Sequence, residues 1–465
     1  MLLLRVERLA ETCASARWTV RDIQWEVAPR APVQGRWDSR PAGAEGGVPV
    51  TEDRWFLGVD WGSEQHQFCV IDAAGHIVGA RAVAHRATDV HAALQWVQAR
   101  TGAPPSRIAV GVETPHGALV DTFLEQGFEV FAVNPKQLDR FRDRFTAGGA
   151  KDDRRDAQVV ADALRTDRRA FRQVRSDEPR VIALRELCHL VEELREEETR
   201  VANRLRDQLY RVNAPWLTLS PAADDLWLWT LLAHAPHPEA WPRLSRGRVT
   251  SVLREQRIRR LTVDDVVRTL RAPMLTVAPG VADAVAIRTA ALIPQLLLVH
   301  RQRLDAERRI ERLLERLADE PAAGEPREHR DVEILRSLPG AGRMVIATML
   351  TEASALLAGR EYGTLRTYAG VAPVTKRSGK RTLIVHMRYA CKPRLRNALF
   401  HWSRVSLQHD GAARAYYDAL RARGHGHARA LRSVGDRWIR ILIAMLKART
   451  VYDPQRVTPP SIASC

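Results

Sequence analysis

The chain has 465 residues, enough for two or three domains with hydrophobic cores. Its 72 lysines and arginines outnumber its 55 aspartates and glutamates, and the resulting formal charge of +17 suits a polyanionic partner such as nucleic acid. Five widely spaced cysteines without a CxxC pair argue against a zinc knuckle or a disulfide framework, and we find no apolar run that approaches the ~18 residues of a membrane span.

The N-terminal end differs in composition from the rest of the chain. Residues 1–50 are rich in proline, glycine and arginine without any period, so we predict a disordered extension there. Three short apolar segments come next, RWFLGVD, QFCVID and HIVGARAVA, and turn residues separate them. This pattern predicts three consecutive antiparallel strands.

Helices and strands then alternate. Helical spacing over residues 88–100 precedes a buried strand at 107–113, a helix at 114–126, a strand at 129–134 and a helix that begins at Pro135. The order β-β-β-α-β-α-β-α is the ribonuclease-H-like (RuvC-like) order and not the order of a doubly wound Rossmann sheet. We therefore predict an α/β domain with a mixed sheet.

Four acids occupy the positions where this fold can bring side chains together. Asp60 ends the first strand and Glu113 ends the fourth. Asp153 and Asp156 have an i, i+3 spacing in a predicted helix, which places both on one face. Hard carboxylate oxygens suit Mg²⁺ or Mn²⁺, and two such ions can stabilise both oxygens of a phosphoryl transfer.

Each acid taken alone has a simpler explanation. An aspartate at a strand end is more often a cap or turn residue, and a DDRRD run is usually a solvated helix face. Asp152 and Asp162 compete with the chosen acids, and we treat them as supporting or exposed residues. The prediction of a metal site depends on the whole set in its element order.

The next region, residues 176–325, is predicted to be mostly helical. Two segments carry apolar residues at 3- and 4-residue steps, typical of a coiled-coil seam. We expect them to pair between chains; a helical hairpin inside one chain is the alternative. For the Trp- and Pro-rich stretch between them, residues 216–279, no role is predicted.

The C-terminal region contains two features that suit a phosphate. The segment ILRSLPGAGRMVIATML resembles a helix-hairpin-helix, in which Gly340 and Gly342 would let backbone N–H groups approach a phosphate; a plain turn between helices is the alternative. A basic loop, TKRSGKR, follows at residues 375–381, then Arg-rich helices to about residue 453. Residues 454–465 are predicted to be a disordered tail.

Several motifs in both halves resemble one family. FLGVDWGSEQHQFCVID, VGVETPHG and AKDDRRDAQVVADAL in the first half, and LRSLPGAGRMVIATMLTE and YAGVAPVTKRSGKR in the second, are similar to the insertion-sequence 110 transposases of the bridge-RNA-guided class. The resemblance covers residues 54–453. In one departure, Asp152 stands where the family usually has threonine, so Asp152 and Asp153 stay alternatives for one acid.

The resemblance implies two sets of catalytic residues. The first is the acid set Asp60, Glu113, Asp153 and Asp156, with Mg²⁺ or Mn²⁺. The second is a nucleophilic serine, Ser378, in the basic loop. The cations beside it would contact nucleic acid or stabilise a charged transition state, and they are Lys376, Arg377, Lys380 and Arg381.

The resemblance also implies the partners. We expect donor and target DNA, a structured guide (bridge) RNA, a dimer that becomes a tetramer on DNA, no membrane, and a cytoplasmic, nucleoid-associated location. The expected division is a disordered extension, a RuvC-like catalytic domain, a helical coiled-coil region, a mainly helical transposase domain and a tail, at 1–50, 51–175, 176–325, 326–453 and 454–465.

Two other functions fit parts of the same sequence. A Holliday-junction or structure-specific endonuclease would use the acids with water as its nucleophile and would not need Ser378. A non-catalytic DNA- or RNA-binding protein would have lost some acids, and the intact set argues against it.

Overall fold

A computed structural model describes residues 54–142, 144, 153–212, 214–319, 328–378 and 381–456. The predicted extension at 1–50, Asp152, Gly379, Lys380 and most of the predicted tail lie outside the described residues. The chain divides into two units, with the boundary between Val174 and Arg175.

A six-stranded mixed sheet forms the centre of the first unit. Its order is β3-β2-β1-β4-β5-β6, in which β1, β4 and β5 are parallel and β2, β3 and β6 are antiparallel to their neighbours. The predicted fold class is confirmed. The strands are β1 Trp55–Asp60, β2 Gln65–Ile71, β3 Ile77–Ala84, β4 Ile108–Val112, β5 Glu129–Ala132 and β6 Arg172–Gln173.

Helices cover both faces of this sheet. The helices are α1 Ala87–Thr101, α2 Ala118–Glu125, α3 Pro135–Arg142 and α4 Asp153–Asp167. Alternate strand residues point to opposite faces, so Leu57 and Val59 pack in the core with α1 and α2, while Phe56 packs in the core with α3 and α4. The second helix begins at Ala118, later than predicted, because Gly117 before it has φ 107°, which is not helical.

Two long antiparallel helices, α5 Pro179–Arg211 and α10 Val281–Asp319, form the centre of the second unit. Leu184 and Val191 of α5 and Ile310 of α10 share one core. The seam is therefore buried within one chain, and the expectation that it pairs between chains is not what the structure shows. A heptad pattern specifies an apolar stripe but not which chain supplies its partner.

The long helix α10 bears on the expectation that the chain contains no membrane span. Within the described residues, Val281–Ala318 is long and apolar enough to cross a membrane, with a mean hydropathy of 1.5 over 18 residues. By length and composition alone, one such helix is weak evidence for a membrane span, because a helix in the core of a folded protein can pass the same test. In the fold this helix packs along α5 and against the helices between them.

The Trp-rich stretch between the long helices forms a helical core of its own. Trp216, Trp227, Trp229 and Trp241 are almost fully buried there. The indole N–H of Trp229 donates to the carbonyl of Ala223 at 2.7 Å, which satisfies a polar group inside this core. The helices are α6 Trp216–Leu219, α7 Leu226–His234, α8 Arg246–Glu255 and α9 Val263–Leu270.

The C-terminal part packs around the N-terminal half of α5 and the C-terminal half of α10. It contains α11 Glu328–Ser337, α12 Arg343–Glu352, α13 Ser354–Ala358, α14 Tyr362–Tyr368, β7 Val374–Ser378, β8 Arg381–His386, α15 Pro393–His409, α16 Gly411–Ala422 and α17 His427–Ala448. The segment predicted as a basic loop is a β-hairpin, because Thr375 and the β-branched run after Arg381 favour strands. The predicted tail begins with a short 3₁₀ helix, Pro454–Arg456.

Candidate active site

Two neighbouring parallel strands bring two of the predicted acids to one edge of the sheet. Val59 of β1 lies opposite Val112 of β4. Asp60 is the last residue of β1, and Glu113 follows the last residue of β4. Because parallel strands end at the same edge, both carboxylates belong to the carboxyl end of the sheet, where α/β proteins bind ligands.

A close approach of α4 to the sheet brings the other two acids to the same edge. A Cβ atom at Gly58 would overlap the backbone oxygen of Ala157, and one at Gly111 would lie 2.6 Å from Cγ1 of Val160. The two glycines therefore let α4 lie directly on β1 and β4. Asp153 and Asp156 occupy the first turn of α4, where the helix dipole favours negative charge.

The resulting cluster contains three carboxylates. Oxygens of Asp60, Asp153 and Asp156 all lie within 4.8 Å of one another. Asp156 is buried, Asp60 is half-buried and Asp153 is exposed, so the cluster opens to solvent on one side. Carboxylates this close repel one another unless a cation lies among them, and oxygen donors at such spacing suit a hard divalent ion.

Glu113 lies beside this cluster, next to an arginine that the sequence analysis did not select. Arg142, the last residue of α3, donates from Nε and Nη2 to the two oxygens of Asp156 at 2.7 and 2.8 Å. Its Nη2 lies 3.8 Å from Oε1 of Glu113, and its Nη1 donates to Asp139 at 2.8 Å. A cationic side chain therefore contacts two of the four predicted acids.

The electrostatics of Arg142 follow from these contacts. Burial by itself would lower the pKa of Arg142, but the hydrogen bonds and charge of Asp156, followed by the charges of Glu113 and Asp139, raise that pKa overall. Arg142 therefore stays protonated and neutralises part of the acidic cluster. The one sequence signal for it was the i, i+3 spacing to Asp139 on a helix.

The loop after Asp60 is held by two histidines. The backbone N–H of Gly62 donates to Nδ1 of His66 at 3.3 Å, and Nε2 of His66 lies 2.9 Å from Nδ1 of His85. Burial and then His85 lower the pKa of His66, so it stays neutral and can accept from Gly62. Trp61 in this loop is 52% exposed beside the acids.

The competing acids have other surroundings. Asp162, six residues along α4 from Asp156, accepts hydrogen bonds from Nε and Nη2 of Arg165 at 3.0 and 2.6 Å. It is not among the three clustered carboxylates. Asp152 lies outside the described residues, so the choice between Asp152 and Asp153 rests on the geometry of Asp153 alone.

The hairpin that carries Ser378 belongs to the second unit. Ser378 is the last residue of β7 and pairs with Arg381, the first residue of β8, so it lies at the tip of the hairpin. Lys376 pairs with Ile384 and Arg377 with Thr382. Lys380 and the side chains of this hairpin lie outside the described part of the chain, so roles for Ser378 and its four neighbouring cations remain predictions.

The glycine turn before α12 has a packing function in the structure. Gly340 has φ 74°, and a Cβ atom there would lie 2.7 Å from the backbone nitrogen of Ser406 in α15. The turn is therefore packed on α15. Gly342 is exposed, and its N–H donates to the carbonyl of Gly340 at 3.1 Å. That both glycines contact a phosphate stays a prediction.

Comparisons with known proteins find the same family in both halves of the chain. A family model of DEDD-type IS110 transposases, described as "Transposase", matches residues 57–214, and the family "Transposase IS116/IS110/IS902 family" matches residues 332–418. A Sinorhizobium fredii protein named as transposase y4uE is 42% identical over 248 residues, which is 53% of this chain and 68% of that protein.

Relatives from Streptomyces coelicolor match over greater lengths. One, named as the mini-circle transposase for IS117, is 29% identical and covers 87% of this chain and 97% of its own. Another, named the insertion element IS110 43.6 kDa protein, is 29% identical over 86% of this chain and 95% of its own. From these matches and the DEDD-type fold, the chain belongs to the IS110 family of transposases, enzymes of DNA transposition.

Proposed function

We propose that this transposase cuts and rejoins DNA strands at the ends of an insertion sequence with two sets of residues, the acids Asp60, Glu113, Asp153 and Asp156, and the serine Ser378. The observation that carries the proposal is the group of three carboxylates within 4.8 Å at the carboxyl edge of the sheet. In a DNA transposase, such a group would hold divalent metal at the scissile phosphate.

The acids would hold Mg²⁺ or Mn²⁺. The donor set fits these ions, because it consists of carboxylate oxygens only and one side is open to solvent. When bound, the metal would supply positive charge for the oxygens of a phosphoryl transfer. Asp60 and Asp156 would be fixed ligands on the sheet and on α4, and Glu113 would join them once Arg142 has moved away from Asp156.

Ser378 would attack the scissile phosphodiester. Its hydroxyl loses a proton as the bond between Oγ and phosphorus forms, and the departing deoxyribose oxygen gains a proton as its bond to phosphorus breaks. The reverse exchange on another strand rejoins DNA and frees the serine. Lys376, Arg377, Lys380 and Arg381 would stabilise the charge that develops on the phosphate.

A structured RNA would guide this reaction, as the resemblance to the bridge-RNA-guided class implies. The net charge of +17 supports binding of RNA together with donor and target DNA. The direct test of the whole proposal is to trap a protein–DNA adduct on an insertion-sequence end and to map the linked residue. Linkage at Ser378 supports the proposal, whereas cleavage without any adduct supports the endonuclease alternative.

Replacing Arg142 by glutamine should strengthen metal binding. The guanidinium occupies both oxygens of Asp156, so a divalent ion must compete with it. Without it, we expect roughly tenfold tighter Mn²⁺ binding by calorimetry. In EDTA the same variant should be less stable, by on the order of 1–2 kcal/mol, because buried Asp156 loses its charged donor.

The control for this variant is Arg140→Gln. Arg140 is exposed on the same helix, α3, so it tests the effect of one lost charge without a contact to Asp156. Equal Mn²⁺ affinity in the wild-type and Arg142→Gln proteins would contradict a competition between Arg142 and the metal.

Assembly into a dimer that becomes a tetramer on DNA is a separate part of the proposal. The seam of α5 and α10 is buried within the chain, but their outer faces expose Ile182, Leu190, Ile287 and Leu298. Apolar side chains at such positions suit a contact between subunits. Light scattering should show a species larger than the 52.3 kDa monomer, and a larger one with RNA and DNA. A monomer under both conditions would rule this part out.

A further inference from the structure

A cleft of about 950 Å³ opens in the second unit beside α14 and α17. The proposed recombination site does not include it. Two aspartates and six arginines line it, and the arginines are Arg366, Arg388, Arg429, Arg432, Arg437 and Arg440. A concave site with such an excess of positive charge attracts anions.

The acids of the cleft neutralise only part of this charge. Asp436 accepts from Nε and Nη2 of Arg366 at 2.9 and 2.6 Å and from the hydroxyl of Tyr362 at 3.0 Å, so its oxygens are engaged. In the part of the chain that the structure describes, Arg429 and Arg432 form no ion pair. Burial and then the charge of Arg429 lower the pKa of Arg432. The fold therefore holds like charges together at a cost in stability.

Part of the lining of the cleft is apolar, and we call this part its floor. Val371, Ile441 and Met445 contribute aliphatic surface, and the ring of Tyr416 lies under the guanidinium of Arg437, whose Cζ is 5.3 Å from the ring centroid. Aromatic rings and guanidinium planes are the surfaces on which unpaired bases stack. A free anion such as phosphate would gain nothing from the apolar surface of this floor. A nucleotide has a base that can pack on the floor and phosphates that can pair with the arginines.

We propose that this cleft binds an unpaired nucleotide of a single DNA strand, with its base on the apolar floor and its phosphates on Arg429 and Arg432. In a duplex the bases are stacked inside, so only its backbone could reach the rim of the cleft. The inference rests on the DNA substrate of the proposed function, but it involves neither the acids nor Ser378. Strand exchange requires DNA to unpair, and the cleft would hold a strand in that state.

The test measures binding without catalysis. The full-length protein in EDTA is titrated against a labelled single-stranded DNA oligonucleotide, its duplex and an RNA of the same sequence. The test variant is the double substitution Arg429→Gln, Arg432→Gln. A plot of log affinity for single-stranded DNA against log salt has a negative slope, and we expect this slope to become shallower by about 1.4, roughly a 25-fold loss of affinity at 0.1 M salt. For the duplex, whose bases cannot enter the cleft, the loss should be clearly smaller than for the single strand.

A matched pair of substitutions controls for lost charge. Arg248 and Arg254 are exposed on α8, away from the cleft, and their double glutamine variant should bind single-stranded DNA as the wild type does. The melting temperature of the cleft variant should equal or exceed that of the wild type, because mutual repulsion is removed. A lower melting temperature with equal losses for strand and duplex would indicate a structural role and overturn the proposal.

Two further outcomes would also overturn it. Unchanged affinity for single-stranded DNA in the cleft variant would show that the cleft does not bind the strand. A loss confined to RNA would assign the cleft to RNA instead of DNA. Because EDTA prevents cleavage in every arm, a failure of the proposed catalytic residues would leave these results unaffected, and the two failures can be told apart.

Discussion

Replacing Asp60 by asparagine should lower the rate of DNA strand cleavage by about a thousandfold or more, roughly 4 kcal/mol in the activation free energy. Asp60 is one of three carboxylates within 4.8 Å, and it is the last residue of β1. Asparagine has nearly the same shape, so the fold should be preserved, but the negative charge that would hold the metal is lost. Glu113→Gln should have an effect of the same kind.

Two measurements distinguish this effect from unfolding. Mn²⁺ binding by calorimetry should weaken in Asp60→Asn, while the melting temperature in EDTA should stay close to that of the wild type. The matched control is Asp162→Asn, on the same helix as Asp153 and Asp156 but paired with Arg165 outside the cluster. It should retain activity. Cleavage by Asp60→Asn at the wild-type rate, with Mg²⁺ or Mn²⁺, would show that the assignment of this acid is wrong.

Replacing Ser378 by alanine should abolish both the covalent protein–DNA adduct and strand exchange. The expected loss is again about a thousandfold or more, because without the hydroxyl no oxygen of the protein is available at this position to bond phosphorus. The measurement is denaturing electrophoresis of the protein after incubation with labelled DNA of an insertion-sequence end and divalent metal. The wild type should give a slowly migrating labelled band, and the variant should give none.

Thr375→Ala is the control for this experiment. Thr375 lies on the same strand, β7, and pairs with Val385, so its loss removes a hydroxyl from the hairpin without removing the tip residue. The control should form the adduct, and both variants should bind DNA as tightly as the wild type. A Ser378→Ala protein that still cleaves DNA at the wild-type rate would instead favour the endonuclease that uses water.

The sequence predicted the first unit well because its signals are local. Each strand from Trp55 to Ala132 is a short apolar run bounded by turn residues, and the spacing of Asp153 and Asp156 is set by helix geometry alone. The positions of Asp60 and Glu113 at neighbouring strand ends follow from the element order, because that order fixes which strands are parallel.

Other features depend on partners that are distant along the chain. Arg142 contacts Asp156 and Glu113 only because α3 and α4 lie over the same sheet edge. Four of the six arginines of the cleft lie on α17, but Arg366 of α14 and Arg388 after β8 join them only in the folded chain.

What the sequence by itself determined about this protein is the type of each element, the acids at the strand ends and the family. The tertiary structure decided which surfaces meet: that α5 and α10 bury their apolar stripes against each other, and that an arginine lies among the acids. The physical reason is that backbone propensity and hydrophobic period act over a few residues, whereas the choice of a packing or ion-pair partner depends on the whole fold.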